Sequence, residues 1–212
     1  ISNNTGANNT AIGLNAMYFT SSGSNNTTLG VSALQNNITG SQNVAIGKTA
    51  LLNNTASNNT AVGFEAAYSN TNAIENTAIG YRALKFSTGA SNTVVGSQSL
   101  TSNTTGDNNS ALGKDALRDN TTGRLNCAFG SGSMATNTTG RFNSAFGQAT
   151  SSGNFTGSLI LGQGATATAD NQFVVGSVGT NAGAVIPAAT SSPTDWWEVV
   201  INGTPYKILL HT

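Results

Sequence analysis

Eight carboxylates, one histidine and one cysteine are the groups in this chain that acid, base or nucleophilic chemistry could draw on. Cleaving a glycosidic bond needs two carboxylates converging on a groove, and these eight are scattered. Asp115 and Asp119 stand closest together, but Lys114 and Arg118 sit beside them, the pattern of a solvated, self-neutralising loop. His211 lies next to the last residue, with no nucleophile or metal partner at a useful spacing. Glycine-rich phrases are frequent, yet none carries Lys-Ser/Thr at the spacing of a phosphate-binding loop, and no helix is expected after them. Cys127 is alone and replaces Thr or Ser in a repeated position, which reads as a small, inward-facing, reduced side chain. No catalytic residue, metal site or cofactor is therefore expected. The side chains left for recognition are aromatic. Trp196, Trp197 and Tyr206 could stack on sugar rings, or could instead plug the end of the molecule as an apolar cap. Tyr18, Phe19 and Tyr68 are a second candidate surface, with packing against a neighbouring chain as the competing role.

What must position these residues is a repeat. The phrase Asn-x-Ala-(Ile/Val/Leu)-Gly recurs with its glycine at Gly13, Gly30, Gly47, Gly63, Gly80, Gly96, Gly113, Gly130, Gly147, Gly162 and Gly176, at intervals of 14 to 17 residues. Each unit holds only a few apolar side chains and cannot bury a core alone, so stability has to come from stacking neighbours. Seven residues before the motif glycine stands a corner glycine, at Gly6, Gly23, Gly40, Gly89, Gly106, Gly123 and Gly140, replaced by Ala56 and Ala73 in two units. The arm from corner to motif keeps its length, and its short Thr- and Ile-containing run predicts a strand. The return arm varies between nine and ten residues, carries Ala-Leu pairs such as Ala33-Leu34 and Ala50-Leu51, and ends in Asn-Thr-Thr-Gly turns. The expected fold is all-β, a parallel β-solenoid or β-roll of about eleven coils over 1–178, followed by a linker at 179–194 and a terminal segment at 195–212.

Stacked coils place like residues in columns. Asn9, Asn26, Asn43, Asn59, Asn76, Asn92, Asn109, Asn126 and Asn143 share one position and are expected to form an amide ladder at a turn. Ile12, Leu29, Ile46, Val62, Ile79, Val95, Leu112, Phe129, Phe146, Leu161 and Val175 precede the motif glycine and are assigned to a dry core column. Thr10, Thr27, Val44, Thr60, Thr77, Thr93, Ser110, Cys127 and Ser144 lie two residues earlier, on the same strand face, and are expected to point inward with them. The many Asn-x-Ser/Thr triplets are read as products of the repeat rather than as glycosylation acceptors.

Charged residues make up 8% of the chain with a net charge of zero, against roughly 25% charged in an average soluble domain. There is no basic stripe to track a nucleic acid, and no apolar run approaches the ~18 residues of a membrane span. Nucleic acid and membrane insertion are accordingly not expected. Ile1 opens on no signal-peptide pattern, which suggests a fragment or a processed form. At the other end, Trp196 to Ile201 and Thr204 to Leu210 flank Asn202-Gly203, a strong β-hairpin signal. Because an open coil exposes backbone donors and an apolar cross-section, this hairpin is expected to cap the solenoid.

The phrase Asn-Thr-Ala-Ile-Gly, with Asn43-Val44-Ala45-Ile46-Gly47 as a close copy, resembles the head repeat of trimeric autotransporter adhesins of the Yersinia adhesin type. That family's repeat is shorter, so the long return arm is a departure. The segment from Ala165 to Ser177 and the ending Trp196-x-x-Val199-x-Ile201-Asn202-Gly203-Thr204-x-Tyr206-x-Ile208-x-Leu210 resemble the distal parts of bacteriophage tail fibres. The resemblance implies a left-handed roll with three chains around one axis. It also implies a structural and adhesive fibre segment on a virion tail or extracellular surface, contacting a host cell-surface glycan or protein. Two arms bearing Ala, Leu and one larger apolar residue per coil enclose a narrow interior, and Phe64, Tyr81, Phe129, Phe142 and Phe146 add bulk that suits an interface. This makes a homotrimer physically reasonable. The alternatives are the head domain of a bacterial adhesin, and an ice-binding solenoid suggested by the threonine column.

Overall fold

A computed structural model describes residues 5–176 and the backbone of two further strands, 196–201 and 204–209. Eleven three-residue strands, β1 (Thr10–Ile12), β2 (Thr27–Leu29), β3 (Val44–Ile46), β4 (Thr60–Val62), β5 (Thr77–Ile79), β6 (Thr93–Val95), β7 (Ser110–Leu112), β8 (Cys127–Phe129), β9 (Ser144–Phe146), β10 (Leu159–Leu161) and β11 (Phe173–Val175), form one parallel sheet in sequence order. The register is strict, with Thr10 opposite Thr27, Ala61 opposite Ala78 and Ile79 opposite Val95. The chain is an all-β solenoid. At ~4.8 Å between neighbouring strands, the coils extend on the order of 50 Å.

The motif glycines are required by the stack. Gly47 has φ 126° and Gly96 φ 146°, and a Cβ on either would overlap the carbonyl of the motif glycine in the next coil. The return arm is extended by coil-to-coil hydrogen bonds instead of regular strand. The amides of Met17, Leu34, Leu51 and Leu84 donate to Ala33, Ala50, Ala66 and Ser99 in the following coil, at 2.9–3.0 Å. Two residues per arm sit in the left-handed region, as at Ser32 and Leu34 (φ 56° and 50°) or Thr49 and Leu51 (φ 58° and 50°). Left-handed leucine costs on the order of 1–3 kcal/mol. It is tolerated because each such leucine is fully buried and its amide is paired with the next coil.

Which face of the strand looks inward corrects the sequence expectation. From β2 to β10 the central residue of the strand is buried: Thr28, Ala45, Ala61, Ala78, Val94, Ala111, Ala128, Ala145 and Ile160. The column assigned to the core instead faces outward in the single chain. Ile12, Leu29, Ile79, Leu112, Phe129 and Phe146 are exposed, Ile12 by 60%, and Ile46, Val62 and Val95 are half-buried. Successive strand residues point to opposite faces, so the wrong choice of face reverses every assignment at once. Alanine wins the interior because the strand and the return arm approach closely, and the space between them is already filled by Leu34, Leu51, Leu84, Leu100 and Leu117. Thr10, Thr27 and Thr93 are likewise exposed, and Cys127 is half-buried on the outward face, not in the coil interior.

The terminal segment forms the expected hairpin, β12 (Trp196–Ile201) antiparallel to β13 (Thr204–Leu209), with Trp196 opposite Leu209 and Val199 opposite Tyr206. The linker assigned to 179–194 lies outside the described residues.

Candidate functional site

The asparagine column forms the expected ladder, and the ladder is used up by the fold. The backbone N–H groups of Asn26, Asn43, Asn59, Asn76 and Asn92 donate to the side-chain oxygens of Asn9, Asn26, Asn43, Asn59 and Asn76, each at 2.9 Å. Asn109, Asn126 and Asn143 continue it at 2.9–3.1 Å. Each side-chain nitrogen then donates to the corner carbonyl of the following coil, as Asn26 does to Gly40 and Asn109 to Gly123, both at 2.9 Å. Donor and acceptor are both satisfied, so these buried amides offer nothing to a ligand.

A second buried amide column escaped the sequence reading, although it opens the Asn-Thr-Thr-Gly turns. Asn37, Asn54, Asn70, Asn103, Asn120 and Asn137, with Ser87 in one coil, lie inside the corner. This is where the repeat length changes. Asn37, Asn70 and Asn103 reach a corner carbonyl three residues on, whereas Asn54 and Ser87 reach one two residues on. Neither Asn54 nor Ser87 donates to the coil before, and the side-chain oxygens of Asn37 and Asn70 there have no partner among the described residues.

Seven of the charged groups neutralise one another in four ion pairs. Arg118 donates to Asp119 at 2.7 and 2.8 Å, and Lys114 lies 3.9 Å from Asp115, as expected of that loop. Glu65 accepts from Arg82 at 2.7 Å and pairs with Lys85 at 2.8 Å. The Lys85 contact, with that of Arg82, holds the Glu65 carboxyl below its usual range, and the Arg118 contact does the same for Asp119. Burial pushes the Cys127 thiol up, away from the thiolate. Among the described residues no three His, Cys, Asp or Glu side chains gather as metal ligands would.

The outward sheet face is the surface the fold does not consume. Phe129 and Phe146 stack along it with ring centroids 5.3 Å apart and planes 9° from parallel. One residue past the motif glycine, Phe64 and Tyr81 stack at 5.6 Å, with the Arg82 guanidinium 4.9 Å from the Tyr81 ring centre. Tyr18 and Phe19 are exposed and meet edge to face at 4.8 Å, while Tyr68 is half-buried and lies 5.8 Å from the Lys85 ammonium. Trp196, Trp197 and Tyr206 fall on the hairpin strands, and their side chains lie outside the described residues. No family model, curated protein or solved structure matches the chain. Its chemistry has to be read from its own surfaces.

Proposed function

We propose that the chain is a structural and adhesive fibre segment that works as a homotrimer, the distal part of a phage tail fibre that contacts a host cell-surface glycan or protein. The observation that carries this reading is the outward column Ile12, Leu29, Ile79, Leu112, Phe129 and Phe146, an apolar stripe laid in register along the parallel sheet. A contiguous apolar stripe of this kind asks to be covered, and a second and third copy of the chain carry the same stripe at the same spacing. The rest of the molecule suits a passive rod, with side-chain amides consumed by the stack and ion pairs closed on themselves. The resemblance of the repeat and of the terminal segment to adhesin heads and tail fibres points the same way, and a bacterial adhesin head domain would share the architecture.

The test is retention of the labelled chain on whole bacterial cells, with its mass in solution measured alongside. Trimers of three times 21.4 kDa that bind cells support the reading. A stable monomer that binds no cell surface removes it. One observation favours a second reading. Thr10, Thr27, Thr60, Thr77 and Thr93 lie on the same outward face, so a lone rod would present a regular threonine-bearing sheet that could template ice. Thermal hysteresis of the purified chain separates the two.

A further inference from the structure

At the corner before β7, β8 and β9 the floor of the rod is bare backbone. Gly106, Gly123 and Gly140 are buried, and a Cβ on any of them would overlap the Asn103, Asn120 or Asn137 side-chain oxygen beneath. On one side stand Thr105, Thr122 and Thr139, and on the other Asp107, Arg124 and Arg141, enclosing a groove of ≈ 480 Å³ that Asn154 and Thr156 close. The hydroxyls of Thr104 and Thr121 donate to Thr121 and Thr138 carbonyls, at 2.9 and 3.0 Å, and so belong to the stack. Those of Thr105, Thr122 and Thr139 make no hydrogen bond among the described residues and face the groove.

The column after the corner glycine follows a rule that fails here. In five coils its side-chain oxygen accepts the backbone N–H of the coil before, whereas Ile74 and Ala90 hold the place in two coils with no oxygen to offer. Ser24 accepts from Ala7 at 3.1 Å, Ser41 from Ser24 and Ser57 from Ser41 at 3.0 Å, Asp107 from Ala90 at 2.7 Å, and Asp170 from Thr156 at 2.8 Å. Arginine has no acceptor. With Arg124 and Arg141 in the column, the N–H groups of Asp107 and Arg124 have no partner among the described residues, and both guanidinium groups are exposed without an ion pair. Two places where the fold elsewhere supplies an oxygen are therefore open, one coil or ~4.8 Å apart, each beside a fixed positive charge.

The geometry points to an acidic polysaccharide in this groove. Its carboxylate or sulfate oxygens take the ladder places on the Asp107 and Arg124 amides and pair with Arg124 and Arg141, while sugar hydroxyls meet Thr105, Thr122 and Thr139. A polymer with acidic groups repeated along its length suits two like positions repeated along the rod better than a single small anion does. Asp107, its carboxylate turned to the Ala90 amide, ends the acidic track on one side. This deepens the surface-binding reading above by naming a ligand class, and it rests on that reading.

The experiment measures binding of the full chain to immobilised dextran sulfate, polygalacturonate and uncharged dextran at about 0.1 M salt, where exposed charges beyond ~10 Å are screened. Binding to one or both acidic polymers and not to dextran is expected, and their order tells sulfate from carboxylate. The double variant Arg124→Ser with Arg141→Ser restores the hydroxyl acceptors of the Ser24, Ser41 and Ser57 coils. It should therefore melt no lower than the parent while losing at least about tenfold in affinity. Lys48→Gln, which removes an exposed cation from another column, should change neither property. Equal binding to dextran, undiminished binding by the serine variant, or stronger retention of single-stranded DNA than of either polysaccharide would overturn the assignment. If the serine variant still binds cells like the parent, the groove is not the receptor site and the fibre reading survives.

Discussion

Asn76 and Asn59 are 17 residues apart in sequence and one coil apart in space, joined by the Asn76 N–H donating to the Asn59 side-chain oxygen at 2.9 Å. The Asn76 side-chain oxygen accepts the same bond from the Asn92 N–H at 2.9 Å, and its nitrogen donates to the Gly89 carbonyl at 2.9 Å. Asn76→Ala leaves that amide and that carbonyl buried with their side-chain partner gone. At roughly 1–3 kcal/mol for each unsatisfied group, the loss should be on the order of 2–5 kcal/mol. Thermal unfolding of the variant checks the size. Asn76→Asp, which keeps the acceptor but not the donor and buries a charge, should fare no better.

Two glycines with left-handed backbones should respond differently to alanine. Gly113 has φ 137° and its added Cβ would meet the Gly130 carbonyl, whereas at Gly132, with φ 66°, the nearest atoms to an added Cβ lie 3.9 Å away. Gly113→Ala is expected to prevent stacking and give insoluble protein. Gly132→Ala should cost only about 1–2 kcal/mol of left-handed strain. Comparable soluble yields from the two variants would contradict the close-stacking account.

Acid should loosen the rod through Glu65 and Asp119, whose folded carboxyls are held below their usual range by Lys85 with Arg82 and by Arg118. A depressed folded value means that the stabilisation is complete above the unfolded pKa, about 4.5 for Glu65 and 3.8 for Asp119, and is lost as pH falls through the lower folded value. Both pairs are partly solvated, so Glu65→Gln should cost no more than about 1 kcal/mol at pH 7. Its unfolding midpoint should fall less steeply than the parent's below that pH range, as followed by circular dichroism.

Adjacent residues of β5 separate coil from assembly. Ala78 is fully buried and Ile79 is 38% exposed on the outward stripe. Ala78→Asp places an unpaired charge inside the coil and should abolish folding. Ile79→Asp should leave the β-rich circular dichroism spectrum intact while converting the proposed trimer to monomer in sedimentation. A fully trimeric Ile79→Asp would show that the stripe is not the interface.

Removing 195–212 tests the proposed cap. Among the described residues β11 pairs only with β10, and Phe173 and Val175 are exposed by 62% and 55%. An uncovered parallel edge recruits other edges, so the truncated chain should aggregate end to end or melt at lower temperature. A truncated chain that stays soluble and equally heat-resistant but loses cell binding would make the hairpin a receptor tip instead.

The periodicity of the motif glycines and the constant corner-to-motif arm determine the solenoid, its eleven strands and the asparagine ladder. Each follows from like residues recurring at one interval, and stacking turns an interval into a column. The terminal hairpin is likewise legible, because Asn202-Gly203 between two apolar runs is a local turn signal. The groove was only half legible: Gly106-Asp107, Gly123-Arg124 and Gly140-Arg141 show charges entering a serine column, but not that the N–H groups beneath lose their acceptor. Tertiary structure alone decided which strand face is the interior. Thr77 and Ile79 alternate with Ala78, and both faces of such a triplet can be buried in principle. The decision falls to the distance between the strand and a return arm already carrying Leu84, a separation no single coil encodes and only stacked coils set. Across that gap from leucines such as Leu84 the interior column takes alanine in most coils, with Val94 and Ile160 in two.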